Sequence, residues 1–113
     1  MQDVEQLIIE WARDKGILAE SDPRTQLEKT KEEINEFETE LIKIDTILLT
    51  EGAEADIIEG LNKAKMELGD IFVTVIIIAE LLGTSPEAVQ RIAYDKISKR
   101  GGAMIDGLFQ KND

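Results

Sequence analysis

Two carboxylate clusters stand out by residue type and spacing: Glu32-Glu33-Ile34-Asn35-Glu36 and Glu67-Leu68-Gly69-Asp70. Three residues advance a helix by ~300°, which sets Glu33 beside Glu36 and Glu67 beside Asp70. Paired carboxylates without nitrogen or sulfur ligands suit hard divalent cations, Mg²⁺ with Mn²⁺ as a substitute, and so chemistry on phosphates. Gln26, Lys29, Glu33, Glu36 and Glu40 share one side of a helix, which puts Lys29 within reach of a phosphate bound there. Lys63, Glu67, Asp70 and Thr74 share a side in the same way. Neither Glu36 nor Asp70 has a basic residue four positions on; Glu40 and Thr74 stand there instead. A single cluster of this kind is more often a solvated helix face, but two clusters bordering apolar stripes favour ligation.

The composition removes most alternatives. The chain has no cysteine and no histidine, so thiolate nucleophiles, Ser-His-Asp chemistry, histidine-ligated zinc and Glu-x-x-His di-iron bundles are excluded. Acidic residues outnumber basic ones 24 to 13, a net charge of −11, which argues against nucleic acid as a partner yet admits a small nucleotide carrying its metal. The N-terminal residues lack the basic and apolar regions of a signal peptide, and residues 71–79 fall well short of the ~20 apolar residues of a membrane span. A cytoplasmic protein with no membrane partner is expected, and 113 residues make one domain, 1–113.

The elements that must position the carboxylates read as helices throughout. Val4, Leu7, Ile8, Trp11 and Ala12 recur at helical spacing over 3–15, with Gly16 as a left-handed stop and Trp11 expected in the core, contact with a base being the lesser reading. After a loop at 17–21, Asp22-Pro23 reads as a cap and first helical residue, opening a long helix to about Thr50. Its stripe is Leu27, Ile34, Phe37, Leu41, Ile44 and Leu48. A third helix over 53–82, ended by Gly83, carries Ile57, Leu61, Ala64, Leu68, Ile71, Val75 and Leu82. Gly69 inside it costs roughly 1 kcal/mol against alanine, so close approach of another helix or a phosphate is expected there. Ser85-Pro86 starts a fourth helix to about Arg100, with Val89, Ile92, Ala93 and Ile97 on its apolar side and Lys96, Lys99 and Arg100 near its end. Gly101-Gly102 breaks it, leaving 101–113 as a non-helical tail with a turn at Asp106-Gly107. Residues 71–79 are apolar all round save Thr74, so an outward row including Ile77 needs a second copy to cover it. The expected fold is an all-α bundle of four helices completed by dimerisation, as a homodimer or a dimer of dimers.

Taken together, Glu32-Glu33-x-x-Glu36 followed by Glu67-x-x-Asp70 within Glu-Leu-Gly-Asp-Ile-Phe resembles the MazG-like all-α nucleoside triphosphate pyrophosphohydrolases. Trp11-Ala12-x-x-Lys15-Gly16-Ile17, and Ala93-Tyr94-Asp95-Lys96-Ile97-x-x-Arg100-x-Gly102-x-Met104 with Gly107-x-Phe109, are similar to small single-domain members from phages and bacteria. The resemblance implies hydrolysis of a (deoxy)nucleoside triphosphate between its α and β phosphates, giving monophosphate and pyrophosphate for nucleotide-pool control or cleansing. It implies Mg²⁺ on Glu33, Glu36, Glu67 and Asp70, phosphates on Lys63, Lys96 and Arg100, a nucleotide contact at Asp95, and a partner subunit completing the pocket. Glu36 or Glu33 would orient or deprotonate the attacking water. Two other readings stand beside this one: a pyrophosphatase restricted to uracil (dUTPase-like) or modified nucleotides, and a non-enzymatic acidic helical module that presents charge to a basic partner.

Overall fold

The local start signals are honoured atom by atom in the computed structural model, which describes residues 3–112. Asp3 caps α1 (Val4–Asp14) by accepting from the Glu5 amide at 3.0 Å. Asp22 caps α3 (Pro23–Leu49) by accepting from the Thr25 amide at 2.8 Å, and Ser85 caps α5 (Pro86–Ile97) by accepting from the Ala88 amide at 3.1 Å. Pro23 and Pro86 occupy first-turn positions that need no N–H donor. α4 runs from Glu54 to Leu81.

Three boundaries differ from the sequence reading. The segment 17–21 is not an open loop: Ile17–Glu20 close one helical turn, α2, after Gly16 at φ 81°. Ile17, Leu18, Ala19 and Glu20 are all compatible with a helix, and one turn fits between the glycine and the Asp22 cap. α5 stops at Ile97 instead of about Arg100, because Lys99 and Arg100 pass into single i→i+3 turns ahead of the glycine pair. The tail is non-helical, as read, but ordered: β1 (Gly102–Ile105) and β2 (Leu108–Lys111) pair antiparallel, with Met104 opposite Phe109 and Ile105 opposite Leu108. Asp106 and Gly107 have φ of 50° and 80°, the left-handed pair that a tight two-residue hairpin requires. The described residues are therefore mostly helical, with five helices and a small hairpin.

α3 and α4 form the frame, two helices of about 40 Å each joined by a short turn and packed antiparallel. A Cβ on Gly60 would stand 3.0 Å from Ile44 Cγ1, which marks how closely the two backbones approach. Thr30 donates to Thr74 at 2.8 Å, and Thr74 donates to the Ile71 carbonyl at 2.7 Å, a buried hydroxyl chain that fixes the register farther along. α1 lies across α4 and contributes Ile9 and Ala12 to a core that also holds Ile44, Ala64, Ile76, Ile77 and Ala79.

The α4-facing row of α3 is Thr30, Glu33, Phe37 and Ile44, which keeps Phe37 and Ile44 of the stripe read in the sequence. Leu27, Ile34, Leu41 and Leu48, spaced by sevens, are instead 42–56% exposed. Leu61, Leu68, Val75 and Leu82 repeat this on α4 at 41–63%. In an antiparallel pair both rows turn to the same side, so the hairpin presents a two-ridged apolar face. The outward row expected around Ile77 is misplaced, since Ile77 is 3% exposed and belongs to the core, while Phe72 and Val75 point outward. The radius of gyration, 17.6 Å, exceeds the ~13 Å of a compact domain of about this length, as the open face implies. Among the described residues no single helix is long and apolar enough to cross a membrane.

Candidate metal centre

Glu67 and Asp70 project from one side of α4 because they are three residues apart, and the α3–α4 register brings Glu33 up against them. One carboxylate oxygen from each of these three residues lies within 4.8 Å of the other two. Glu33 is buried, Glu67 half-buried and Asp70 exposed, so the cluster runs from the helix interface to solvent. Glu33 is 8% exposed. One of its oxygens meets Lys29 Nζ at 3.2 Å, while its Oε2, and Glu67 Oε2 likewise, is buried without a hydrogen-bond partner.

That pairing of burial with missing donors is the telling feature of the site. A buried carboxylate oxygen without a donor costs free energy, and converging carboxylates add repulsion in a lowered dielectric. A divalent cation held between these oxygens removes both costs, and an all-oxygen donor set suits Mg²⁺ or Mn²⁺. The residues present therefore fit a hard cation.

Glu36 stands at the rim. The charge of Glu33, loss of solvent and the charge of Glu67 together push its carboxyl above the usual range, which places it beside both residues without making it one of the converging three. Lys29 is held protonated more firmly than a free lysine by its hydrogen bond to Glu33 and by the charge of Glu32, whose Oε2 is 3.5 Å away. The cation read as a phosphate ligand is thus an immediate neighbour of the cluster.

The remaining phosphate candidates do not line the cavities beside the cluster. Lys63, one turn before Glu67 on α4, is exposed and paired with Glu59 at 3.2 Å. Asp95, Lys96 and Arg100 are exposed at the far end of α5, which leaves α4 at 94°. Neither cavity beside the carboxylates includes them.

Those cavities hold what the sequence reading missed. One, of about 490 Å³, is lined by Trp11, Gln26, Lys29, Glu33, Asp70 and Val73 among others. A second, of about 370 Å³, shares Trp11, Asp70 and Val73 with it and extends along α1 past Leu7 and Ile8. Trp11, expected in the core, is 48% exposed and walls both. An indole on an amphipathic helix reads as core by default, and only the crossing of α1 over α4 shows that it flanks the buried Ile9 and Ala12. Gly69, expected at the close approach of another helix or a phosphate, has among the described residues no side chain or other helix within 4 Å of its would-be Cβ.

The fold and site define a helical protein with a three-carboxylate centre open to an aromatic-walled groove. Comparison with protein-family models, curated proteins and solved structures found no match to the chain.

Proposed function

We propose that this protein is a nucleoside triphosphate pyrophosphohydrolase that cleaves between the α and β phosphates, with Mg²⁺ held by Glu33, Glu67 and Asp70 and with Glu36 beside it. The observation that carries the proposal is the convergence of those three carboxylates, two with buried oxygens lacking any donor, at the mouth of a groove that also holds Lys29. A bound Mg²⁺ would supply charge neutralisation on phosphate oxygens and a more acidic water. Lys29 would bind a phosphate oxygen by exchanging part of its contact with Glu33. Glu36, beside Glu33 and Glu67, would orient the attacking water and accept its proton. The paired acidic motifs resemble those of the MazG-like enzymes and support the same reading.

The assembly belongs to the proposal. The apolar face of Leu27, Ile34, Leu41, Leu48, Leu61, Leu68, Val75 and Leu82 is self-complementary in kind and suits a second copy related by a twofold axis. In such a dimer, or a dimer of dimers, Lys96 and Arg100, remote from the cluster of their own chain, become available to that of another.

The test is pyrophosphate release from a panel of deoxynucleoside and nucleoside triphosphates, uracil and modified bases included, with Mg²⁺ and with EDTA. Release with Mg²⁺ and none with EDTA is expected. No release from any nucleotide would leave the acidic interaction module as the better reading.

A further inference from the structure

We infer that Thr30 and Thr74 are positioning residues of the carboxylate centre, their hydrogen bond clipping α3 to α4 one turn from the ligands and so holding the three carboxylates together for a divalent cation. The inference rests on the proposed metal at Glu33, Glu67 and Asp70 and holds whatever reaction that metal serves. Thr30 and Thr74 are 6% and 5% exposed, and their hydroxyl oxygens are 2.8 Å apart. Among the described residues theirs is the only side-chain hydrogen bond between α3 and α4, and no ion pair joins the two helices. The pairs Lys29–Glu33, Lys43–Glu40 and Lys63–Glu59 each stay within one helix. Thr30 precedes Glu33 by about one turn, and Thr74 follows Asp70 by about one turn.

The place of this bond along the hairpin gives it a task. The turn at 50–53 ties the helices covalently at one end, and the close approach of Ile44 and Gly60 fixes them near that end. The carboxylates lie beyond the approach, towards the open end, where Glu33 on α3 meets Glu67 and Asp70 on α4 and like charges push the helices apart. Thr30 and Thr74 stand just past them and hold the open end closed, through a bond that burial strengthens. The two hydroxyls can also part without leaving a buried donor unmade. Thr30 Oγ1 is 2.9 Å from the Gln26 carbonyl and Thr74 Oγ1 is 2.7 Å from the Ile71 carbonyl, so each can donate to its own helix when the other is gone. Loss of the clip therefore costs little stability and registers in the spacing of the carboxylates.

The test uses the full chain and the cations themselves, Mn²⁺ and Mg²⁺. Titration calorimetry measures their affinity, and scanning calorimetry in EDTA measures stability, for the wild type, Thr30→Val, Thr30→Ser, Thr74→Val and the double valine variant. Valine keeps the shape of threonine without the hydroxyl, whereas serine keeps the hydroxyl and gives up a buried methyl group. Thr30→Val and Thr74→Val should each weaken Mn²⁺ binding by about 2- to 12-fold, the net worth of one hydrogen bond. The double variant should lose no more than either single one, because the same bond is missing from all three. Thr30→Ser should melt below Thr30→Val and yet bind Mn²⁺ as the wild type does, an inversion that a merely structural role would not produce. Wild-type affinity in both single valine variants, losses that add in the double variant, or affinities that simply follow the melting temperatures would each overturn the clip. A wild type that binds neither cation would remove the metal centre and the clip's task with it. Metal binding that weakens as expected, in a protein that releases no pyrophosphate, removes the hydrolase alone and leaves the clip standing.

Discussion

Replacing Glu67 by glutamine keeps the shape of the side chain and removes one charge from a cluster whose carboxylate oxygens lie within 4.8 Å of each other. At that separation two unit charges repel by roughly 3–4 kcal/mol in an effective dielectric near 20. Solvent at Asp70 and the ammonium of Lys29 beside Glu33 reduce this, so about 1–2 kcal/mol of net relief is expected in metal-free protein. The new amide also offers N–H donors to the unpartnered Glu33 Oε2. At about 3–6 °C per kcal/mol for a chain of this length, Glu67→Gln should melt roughly 3–12 °C above the wild type in EDTA.

With Mg²⁺ present the order should reverse. A cation that binds only the folded protein stabilises it by about 2.7 kcal/mol at a hundred times its dissociation constant, and the wild type should gain most of that. Glu67→Gln, lacking one ligand charge, should gain little. Differential scanning calorimetry of both proteins in EDTA and in Mg²⁺ gives the four values. Glu38→Gln, on an exposed face, controls for the general benefit of removing one negative charge from a chain of net charge −11. A Glu67→Gln protein less stable than the wild type in EDTA, together with no response of the wild type to Mg²⁺, would show that the carboxylates form an ordinary solvated face.

Glu36→Gln and Asp70→Asn should each cut pyrophosphate release by about 10²-fold or more with the circular dichroism spectrum retained, since neither touches the helix interface. Asp22 has its carboxyl held below the usual value of 3.8 by the Thr25 amide and hydroxyl. Its contribution is present above pH 3.8 and is lost as pH falls through the lowered folded value, so Asp22→Asn should flatten that acid limb of a pH–stability curve and change little at pH 7. Gly60→Ala should lower the melting temperature, because its Cβ would meet the buried, β-branched Ile44 at 3.0 Å. Gly69→Ala, with nothing of its own chain within 4 Å, should raise the melting temperature through a gain in helix propensity of about 0.5–1 kcal/mol.

Signals confined to a few adjacent residues were the legible ones. Asp22-Pro23, Ser85-Pro86 and Asp106-Gly107 act through bonds and dihedral angles within four residues of themselves, and each stands where it was read. The pairing of Glu67 with Asp70 is equally local. Bringing Glu33 to them depends on the register of α3 against α4, which Thr30, Thr74 and the Ile44–Gly60 approach determine. Thr30 gave no warning of this role, because a threonine in a charged helix reads as solvent-facing until its partner is known. The apolar stripe of α3 was right in Phe37 and Ile44 and wrong in its other four residues for a related reason. Leu27, Ile34, Leu41 and Leu48 make the more hydrophobic row, yet α4 packs against Thr30, Glu33, Phe37 and Ile44. Hydrophobic spacing identifies a row that avoids water, and it does not say whether the cover comes from the same chain.

The two sides of the α3–α4 hairpin make opposite demands on stability, and on the proposed reading both are met from outside the chain. On one side, buried carboxylate oxygens without donors oppose folding until a cation satisfies them. On the other, eight large apolar residues keep between 41% and 63% of their surface in water. Between these sides the protomer's core is thin: among the described residues no large side chain falls below 2% exposure, and three of the seven buried apolar residues are alanine. A domain with so thin a core should gain stability from assembly on the apolar face and from the cation at the carboxylates. The dependence should be separable by position. A charge on the apolar face, as in Leu68→Glu, should shift the protein from dimer to monomer in light scattering while the carboxylates on the other side of the hairpin keep their order. A dimer unchanged by Leu68→Glu would place the interface elsewhere, with the exposed apolar residues of α5 and the hairpin, Ile92, Ile97, Met104 and Phe109, as the next surface to probe.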